Sequence, residues 1–499
     1  MIIPEKLKSA IRNPQSAIRN IMNPLRLIYC CLIALLIYGC SGKTNSHLPL
    51  SLNPQNPHYF LFRGKPAILI GSTEHYGSVL NLDFDYIRYL DELSAAGLNV
   101  TRTFSGAYVE PAGAFGIKKN TLAPAPERYI CPWSRSKEPG YANGGNKFDL
   151  SEWDEAYFSR LKNFIAEAGE RNIVVELDLF SNYYDTVQWK LSPLNSINNI
   201  NRVGDIKDHK EVLSLAHGEL LKVQESMVRK IVHELKDYDN LYYEVCNEPY
   251  FGDTTALRQW EDHMTEVVIE AEKDFKYRHL ISNNVANNQK HVKELRPGVS
   301  IYNFHYARPP LTVGMNYHLN SVIGDNETGF DGIEDSKYRT EAWDFILAGG
   351  GLFNNLDYSF TTDSEDGTNK IESGQPGGGG KALRSQYKIL AGFITSFDYV
   401  NMAPLNKERI RLPEQSNTTL QALAKTDDQF ALYLHRKDTV NATSVIEIDL
   451  PSGSYDLTWT DTKSGEVTPA SRVDHAGGWL QFKSPGYMED IALKIVKPD

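Results

Sequence analysis

The chain has 499 residues, room for a barrel of roughly 250 to 350 residues and a second, smaller domain. Hydrophobic residues make up 41% and charged residues 23%, a balance that excludes wholesale disorder. The formal net charge of −11, with no basic stripe along the chain, argues against a polyanion such as nucleic acid as partner.

Near the start, Arg26 precedes the apolar run Leu27 to Tyr38. Its twelve residues are too few to span a bilayer and suit the core of a signal peptide. Gly39-Cys40 then resembles the lipobox of bacterial lipoproteins. That resemblance implies a leader over residues 1–40, lipidation of Cys40, a cell-envelope location, and membrane contact through the anchor alone. The alternative is a plain signal peptide in which the cysteine is incidental. Ser9-Ala10-Ile11-Arg12-Asn13 recurs as Ser16-Ala17-Ile18-Arg19-Asn20, a repeat with no apolar logic, which makes Met22 a candidate start. Beyond Cys40 the chain has only Cys131 and Cys246, which leaves a disulfide open and shows no metal-binding Cys/His spacing.

A polar linker over residues 41–58 leads into Tyr59 to Ile70, which reads as a hairpin running into a buried strand. Short β-branched runs then alternate with helical patterns, the grammar of βα units around a parallel sheet. A helix from about Asp83 to Ala96 places Tyr86, Tyr89, Leu90 and Leu93 on one face and stops at Gly97. The strand Leu98 to Arg102 follows, then a Gly/Pro-rich loop from Ser105 to Lys147, either functional or disordered at that length. Helix Ser151 to Ala168 leads to strand Ile173 to Leu179, and a helix from Glu211 to Leu235 to strand Leu241 to Cys246. Helix Ala256 to Phe275 precedes Leu280 to Ser282, and strands Ser300 to Phe304 and Ser321 to Gly324 come next. Helix Thr340 to Leu347, strand Leu352 to Asn355, a glycine-rich loop and helix Leu383 to Phe397 complete eight units over residues 59–412. The expectation is α/β, a (β/α)8 TIM barrel. Over residues 413–499 the pattern changes to strict alternation with glycine turns, a small C-terminal β-sandwich.

In such a barrel the reactive groups sit where strands end. The fourth strand ends Tyr243-Glu244-Val245-Cys246-Asn247-Glu248-Pro249. An aromatic-Glu-x-x-Asn-Glu-Pro run at that place resembles clan A glycoside hydrolases, family 5 and its cellulase-like relatives in particular. The resemblance implies Glu248 as general acid/base, Asn247 as the partner of a sugar 2-hydroxyl, and Glu327, closing the seventh strand, as nucleophile. Thr328 stands where family 5 usually has an aromatic, and Asp325 remains a minor alternative to Glu327. Arg102 at the second strand end is expected to hold the nucleophile ionised, facing a wet cleft. His305 and Tyr306 at the sixth strand end are expected to contact sugar and nucleophile. With His75, these residues form the expected binding set: Arg102, Asn247, His305, Tyr306 and His75.

The chemistry would be double displacement, with the charged Glu327 raising the pKa of Glu248. Glu244 reads as structural, paired with a cation, while Glu74 and His75 either line the pocket or satisfy each other. Tyr76, Phe104, Trp189 and Tyr250 are candidates for sugar subsites or for core packing. No cofactor is expected, and a metal bound by His75, His305 and a Glu lacks a supporting His-x-x-x-His pair. The expectation is a retaining enzyme acting on poly- or oligosaccharides. The alternatives are a non-catalytic carbohydrate-binding lipoprotein on the same scaffold, or a transglycosylase with the same residues.

Overall fold

A computed structural model describes residues 47–250, 252–285, 289–413 and 417–498. The apolar run, Cys40 and Met22 lie outside the described residues. No helix among the described residues is long and apolar enough to cross a membrane.

Eight parallel strands form one sheet in the barrel order, and these strands set the site. They are Leu69–Thr73, Val100–Phe104, Val174–Ser181, Leu241–Asn247, Ile281–Asn284, Val299–His305, Val322–Thr328 and Leu352–Leu356. The first strand pairs with the eighth, and Asn99 closes the circle by bridging to the backbone of Ile68 and Ile70 at 2.8 Å each. The expected α/β barrel is therefore what the chain forms. A helix over Tyr86–Ala95 buries the four expected side chains and is capped by Asp85, which accepts from the amides of Ile87 and Arg88. The next begins at Glu155, capped by Asp154, so Ser151 to Trp153 are strand rather than helix.

The barrel interior is layered. Leu69, Val100, Val174, Tyr242, Ile301, Val322 and Leu352 make an apolar floor, plugged from below by Leu50 and Phe60 of the N-terminal hairpin. Above it lies a polar layer in which Arg102, Glu176, Glu244, Asn303 and Asn326 hydrogen-bond across the barrel. This layer is why glycine stands at 71 and 324: a Cβ there would collide with the Asn354 and Asn303 side chains.

The segment from Ser105 to Lys147 is not structureless. It contains an antiparallel hairpin, Trp133–Pro139 against Asn146–Trp153, and a short 3-10 turn at Ala114–Gly116. Cys131 and Cys246 are both buried and free, so no disulfide joins them.

C-terminal to the barrel, a six-stranded and a three-stranded antiparallel sheet enclose a separate core, the expected sandwich. Its first strand is Ala403–Pro404. The sandwich packs on the barrel helix Asp335–Leu347: Trp343 stacks on Tyr433 at 5.4 Å, and Arg339 reaches Asp490 and Glu489 at 2.7 Å each.

Candidate active site

Glu248 closes the fourth strand in a left-handed conformation, φ 48°, and its amide donates to Asn284 Oδ1 at 3.1 Å. A non-glycine residue rarely adopts that conformation, and before a proline the helical region is disfavoured as well. The fold therefore holds this side chain in a turn that lifts it off the strand into the barrel mouth. Glu327 reaches the same place by a different route. The pairing of the seventh strand shifts register between Asp325 and Thr328, and this irregularity breaks the alternation of side chains.

The result is a pocket of ≈ 620 Å³, mouth included, that holds both carboxylates together with Asn247, His75, Tyr76 and Tyr306. One ligand atom each from Glu248, His305 and Glu327 lies within 4.8 Å of the others. His305 Nδ1 is 2.9 Å from Glu248 Oε1 and 3.6 Å from Glu327 Oε1. Tyr76 donates to Glu327 Oε2 at 3.0 Å, Tyr306 to Oε1 at 2.8 Å, and Arg102 Nη1 to Oε2 at 2.9 Å. Burial first, and then the Glu327 charge, push both tyrosine hydroxyls well above their ordinary range, so they remain donors.

Several expected placements need correction. Asp325 does not share the face of Glu327; its carboxylate accepts from the Ala307 amide at 3.2 Å. Burial and the neighbouring Glu341 push its pKa well up, which suits a protonated structural group and not a nucleophile. Arg102 does not line a wet cleft. It is 1% exposed and cannot bind substrate directly, because its guanidinium is spent on Asp178, Glu244 and Asn247 at 2.7 to 2.8 Å, and on Glu176 and Glu327 at 2.9 Å. Its assignment to the binding set is replaced by a positioning one. Burial opposes the charge, but Asp178 and Glu176 outweigh it and raise the Arg102 pKa. Glu244 is paired with a cation as expected, and that cation is Arg102.

The electrostatics of Glu248 also run against expectation. Burial raises its pKa, but the hydrogen bond and charge of His305 and the hydroxyls of Tyr184 and Tyr250 outweigh it, leaving the group at about 2. His305 is correspondingly raised: burial disfavours its charge, and Glu327 and Glu248 restore it. The two shifts run in opposite directions across one 2.9 Å hydrogen bond, favouring the proton on the His305 side of the pair.

Other residues fall as follows. Asn247 Oδ1 accepts from Arg102, and its Nδ2 donates to Ser181 Oγ at 3.2 Å and Tyr184 Oη at 3.1 Å. His75 lines the pocket and faces Glu110, whereas Glu74 turns away to bind the amides of Gly77 and Ser78, so the two do not satisfy each other. Tyr76, Phe104 and Tyr250 line the pocket, while Trp189 is buried with its indole N–H on the Ile206 carbonyl. Tyr184, which hydrogen-bonds Glu248, is a site residue the strand-end reading passed over, although it lies three residues beyond the third strand. Glu110, Phe115 and Phe330 in the pocket wall were passed over too. For a metal, Glu248, His305 and Glu327 have suitable spacing, a different set from the one with His75. The other close acidic group, Glu176, Asp178 and Glu244, already surrounds the Arg102 guanidinium.

Residues 127–310 match the model of the cellulase family, glycosyl hydrolase family 5. That stretch carries Asn247, Glu248, His305 and Tyr306; Arg102 and Glu327 fall outside it. No curated protein matches in sequence. Among solved structures, a candidate glycoside hydrolase from Bacteroides vulgatus ATCC 8482 superposes with a TM-score of 0.63 at 15% identity, over 92% of this chain and 84% of that one. A glycoside hydrolase family 5 protein from the same organism gives 0.60 at 14% identity, over 91% and 94%. A further glycoside hydrolase gives 0.58 at 15% identity, over 90% and 97%. The chain is thus similar to the cellulase family over residues 127–310, which include the fourth strand end, and has the cellulase-like (β/α)8 fold that the resemblance implied.

Proposed function

We propose that this protein is a retaining glycoside hydrolase that cleaves O-glycosidic bonds of poly- or oligosaccharides by double displacement. The observation that carries the reading is the placement of Glu248 and Glu327 oxygens within 4.8 Å of each other in one pocket at the strand ends. Retaining enzymes hold the two carboxyls about 5 to 5.5 Å apart, whereas inverting ones need about 6.5 to 9.5 Å to admit a water.

Glu327, held by two tyrosine hydroxyls and a guanidinium, is the nucleophile that attacks the anomeric carbon. Those donors fix its orientation, so little reorganisation is left for the reaction. Glu248 is the acid/base, and His305 Nδ1 at 2.9 Å is the reservoir of its proton. As charge leaves Glu327 for the new bond, His305 loses one of the two anions that hold its proton. The proton then passes through Glu248 to the departing oxygen, and Glu248 next takes a proton from the incoming water. Asn247 Oδ1, fixed by Arg102, keeps a second lone pair with which to accept from the sugar 2-hydroxyl.

The protein is also proposed to be lipid-anchored at Cys40, on the strength of Gly39-Cys40 after the short apolar run. The activity is tested by screening aryl β-glycosides and polysaccharides, with the first-formed anomer read by NMR. Hydrolysis with retention is expected; inversion, or no turnover of any substrate, would contradict the reading.

A further inference from the structure

One carboxylate in the pocket wall has no part in the two-carboxylate chemistry. Glu110 follows the second barrel strand, and its side chain is 3% exposed. It accepts from Tyr108 Oη at 3.0 Å and from Asn120, and it faces His75 Nε2 at 3.4 Å. His75 Nδ1 is buried without a partner. The loop that carries Glu110 is braced: the Glu110 amide donates to the Leu122 carbonyl at 2.9 Å.

The same loop roofs the pocket. The Lys118 amide donates to Gln375 Oε1 at 3.2 Å, and Lys119 Nζ reaches Asp363 at 2.9 Å and Asn369 at 3.1 Å. Loops after the second and eighth strands are thereby tied together across the end of the first. Phe115, 42% exposed above, lies edge-on to Tyr184 at 5.0 Å and to Phe330 at 6.3 Å, so its ring spans the mouth from the third-strand loop to the seventh.

Resting on the proposed hydrolase activity, we propose that this is a closed pocket for a single non-reducing terminal sugar. Glu110 and His75 receive that sugar's distal hydroxyls, so that the enzyme releases monosaccharides from chain ends. Glu248 assists the oxygen that leaves, so the departing chain exits on its side. The retained ring lies toward Glu327 and the adjoining His75, within reach of Glu110. A carboxylate can accept from free hydroxyls there. A ring extended by another sugar would instead present an ether oxygen, an acceptor set against an acceptor. Setting an acceptor against a buried carboxylate is costly, and discrimination of that kind is strong.

The test uses the full protein with aryl monoglycosides and with β-1,4-linked glucose, mannose and xylose hexasaccharides labelled at the reducing end. Aryl monoglycosides should be turned over, and any hexasaccharide attacked should shorten one unit at a time with a monosaccharide as the first unlabelled product. Glu110→Gln should lose at least about tenfold in kcat/KM on the same substrates, while Glu327 still takes a covalent label from saturating activated 2-fluoro glycoside. Labelled products of two or three units at the earliest times, failure on every aryl monoglycoside, or a Glu110→Gln variant equal to wild type would each overturn the proposal. If a hexasaccharide or an aryl glycoside is still hydrolysed in those cases, the hydrolase reading stands; if no substrate is turned over and Glu327 is never labelled, that reading falls too.

Discussion

His305 Nδ1 lies 2.9 Å from Glu248 Oε1, a buried pair assembled from the ends of the sixth and fourth strands. Glu248 is depressed from 4.5 to about 2, so its share of stability is present above pH 4.5 and fades as pH falls toward 2. His305 is raised above 6.5, so its share is present below that pH and fades as pH rises through the raised value. The melting-temperature difference between wild type and His305→Gln should therefore be largest between pH 4.5 and 6.5 and shrink on both sides. A difference that stays flat from about pH 3 to 9 would show that the pair is not ionised as described.

Arg102 and its carboxylates form a network that cannot lose its cation without leaving charges buried. Arg102→Met should cost about 3 kcal/mol or more and lower the melting temperature sharply, or prevent folding. Arg411→Met, which removes a 58% exposed partner of Glu447, should change stability by less than about 1 kcal/mol. Calorimetry of both variants checks this. An Arg102→Met protein that melts with wild type would mean the guanidinium is not the hub of the layer.

The two tyrosines on Glu327 should act on rate and leave the fold intact. A hydrogen bond to a charged group contributes about 1.5 to 3 kcal/mol, so Tyr76→Phe and Tyr306→Phe should each cut kcat/KM by roughly 10- to 150-fold. Thermal stability should fall only slightly, since the rings stay packed. Full activity in both variants would remove them from the site.

The barrel was legible because its strands are buried on both faces and read as short apolar, β-branched runs separated by helical patterns. Glu248 was legible because its Asn-Glu-Pro context is local in sequence. Asp325 was misplaced because a period of two puts it on the face of Glu327, and no sequence signal marks the register shift that separates them. The hairpin after the second strand was hidden because Ser134 to Pro139 contain no apolar alternation. It is held by Arg135, whose guanidinium lies 4.0 Å from the Phe148 ring centroid and 4.5 Å from that of Tyr141. The burial of Arg102 was equally hidden, since its carboxylate partners come from the third, fourth and seventh strands and meet only when the barrel closes.

The proposed anchor makes a separate claim on the leader. Labelled palmitate should enter wild-type protein expressed in a bacterial host, and Cys40→Ser should take up none. Equal labelling of both proteins would leave Gly39-Cys40 without the role assigned to it.

The division of labour between Glu248 and Glu327 is tested most directly by covalent trapping with azide rescue. A mechanism-based 2-fluoro glycoside should label Glu327 in the peptide containing Asp325-Asn326-Glu327. Glu327→Gly should be inactive until azide enters from the vacated face and yields a glycosyl azide of inverted configuration. Glu248→Ala should still form the intermediate from a dinitrophenyl glycoside, whose departure needs no proton, and azide should then speed its breakdown with net retention. Labelling at Asp325, or net inversion by the wild-type protein, would contradict the roles given to the two carboxylates.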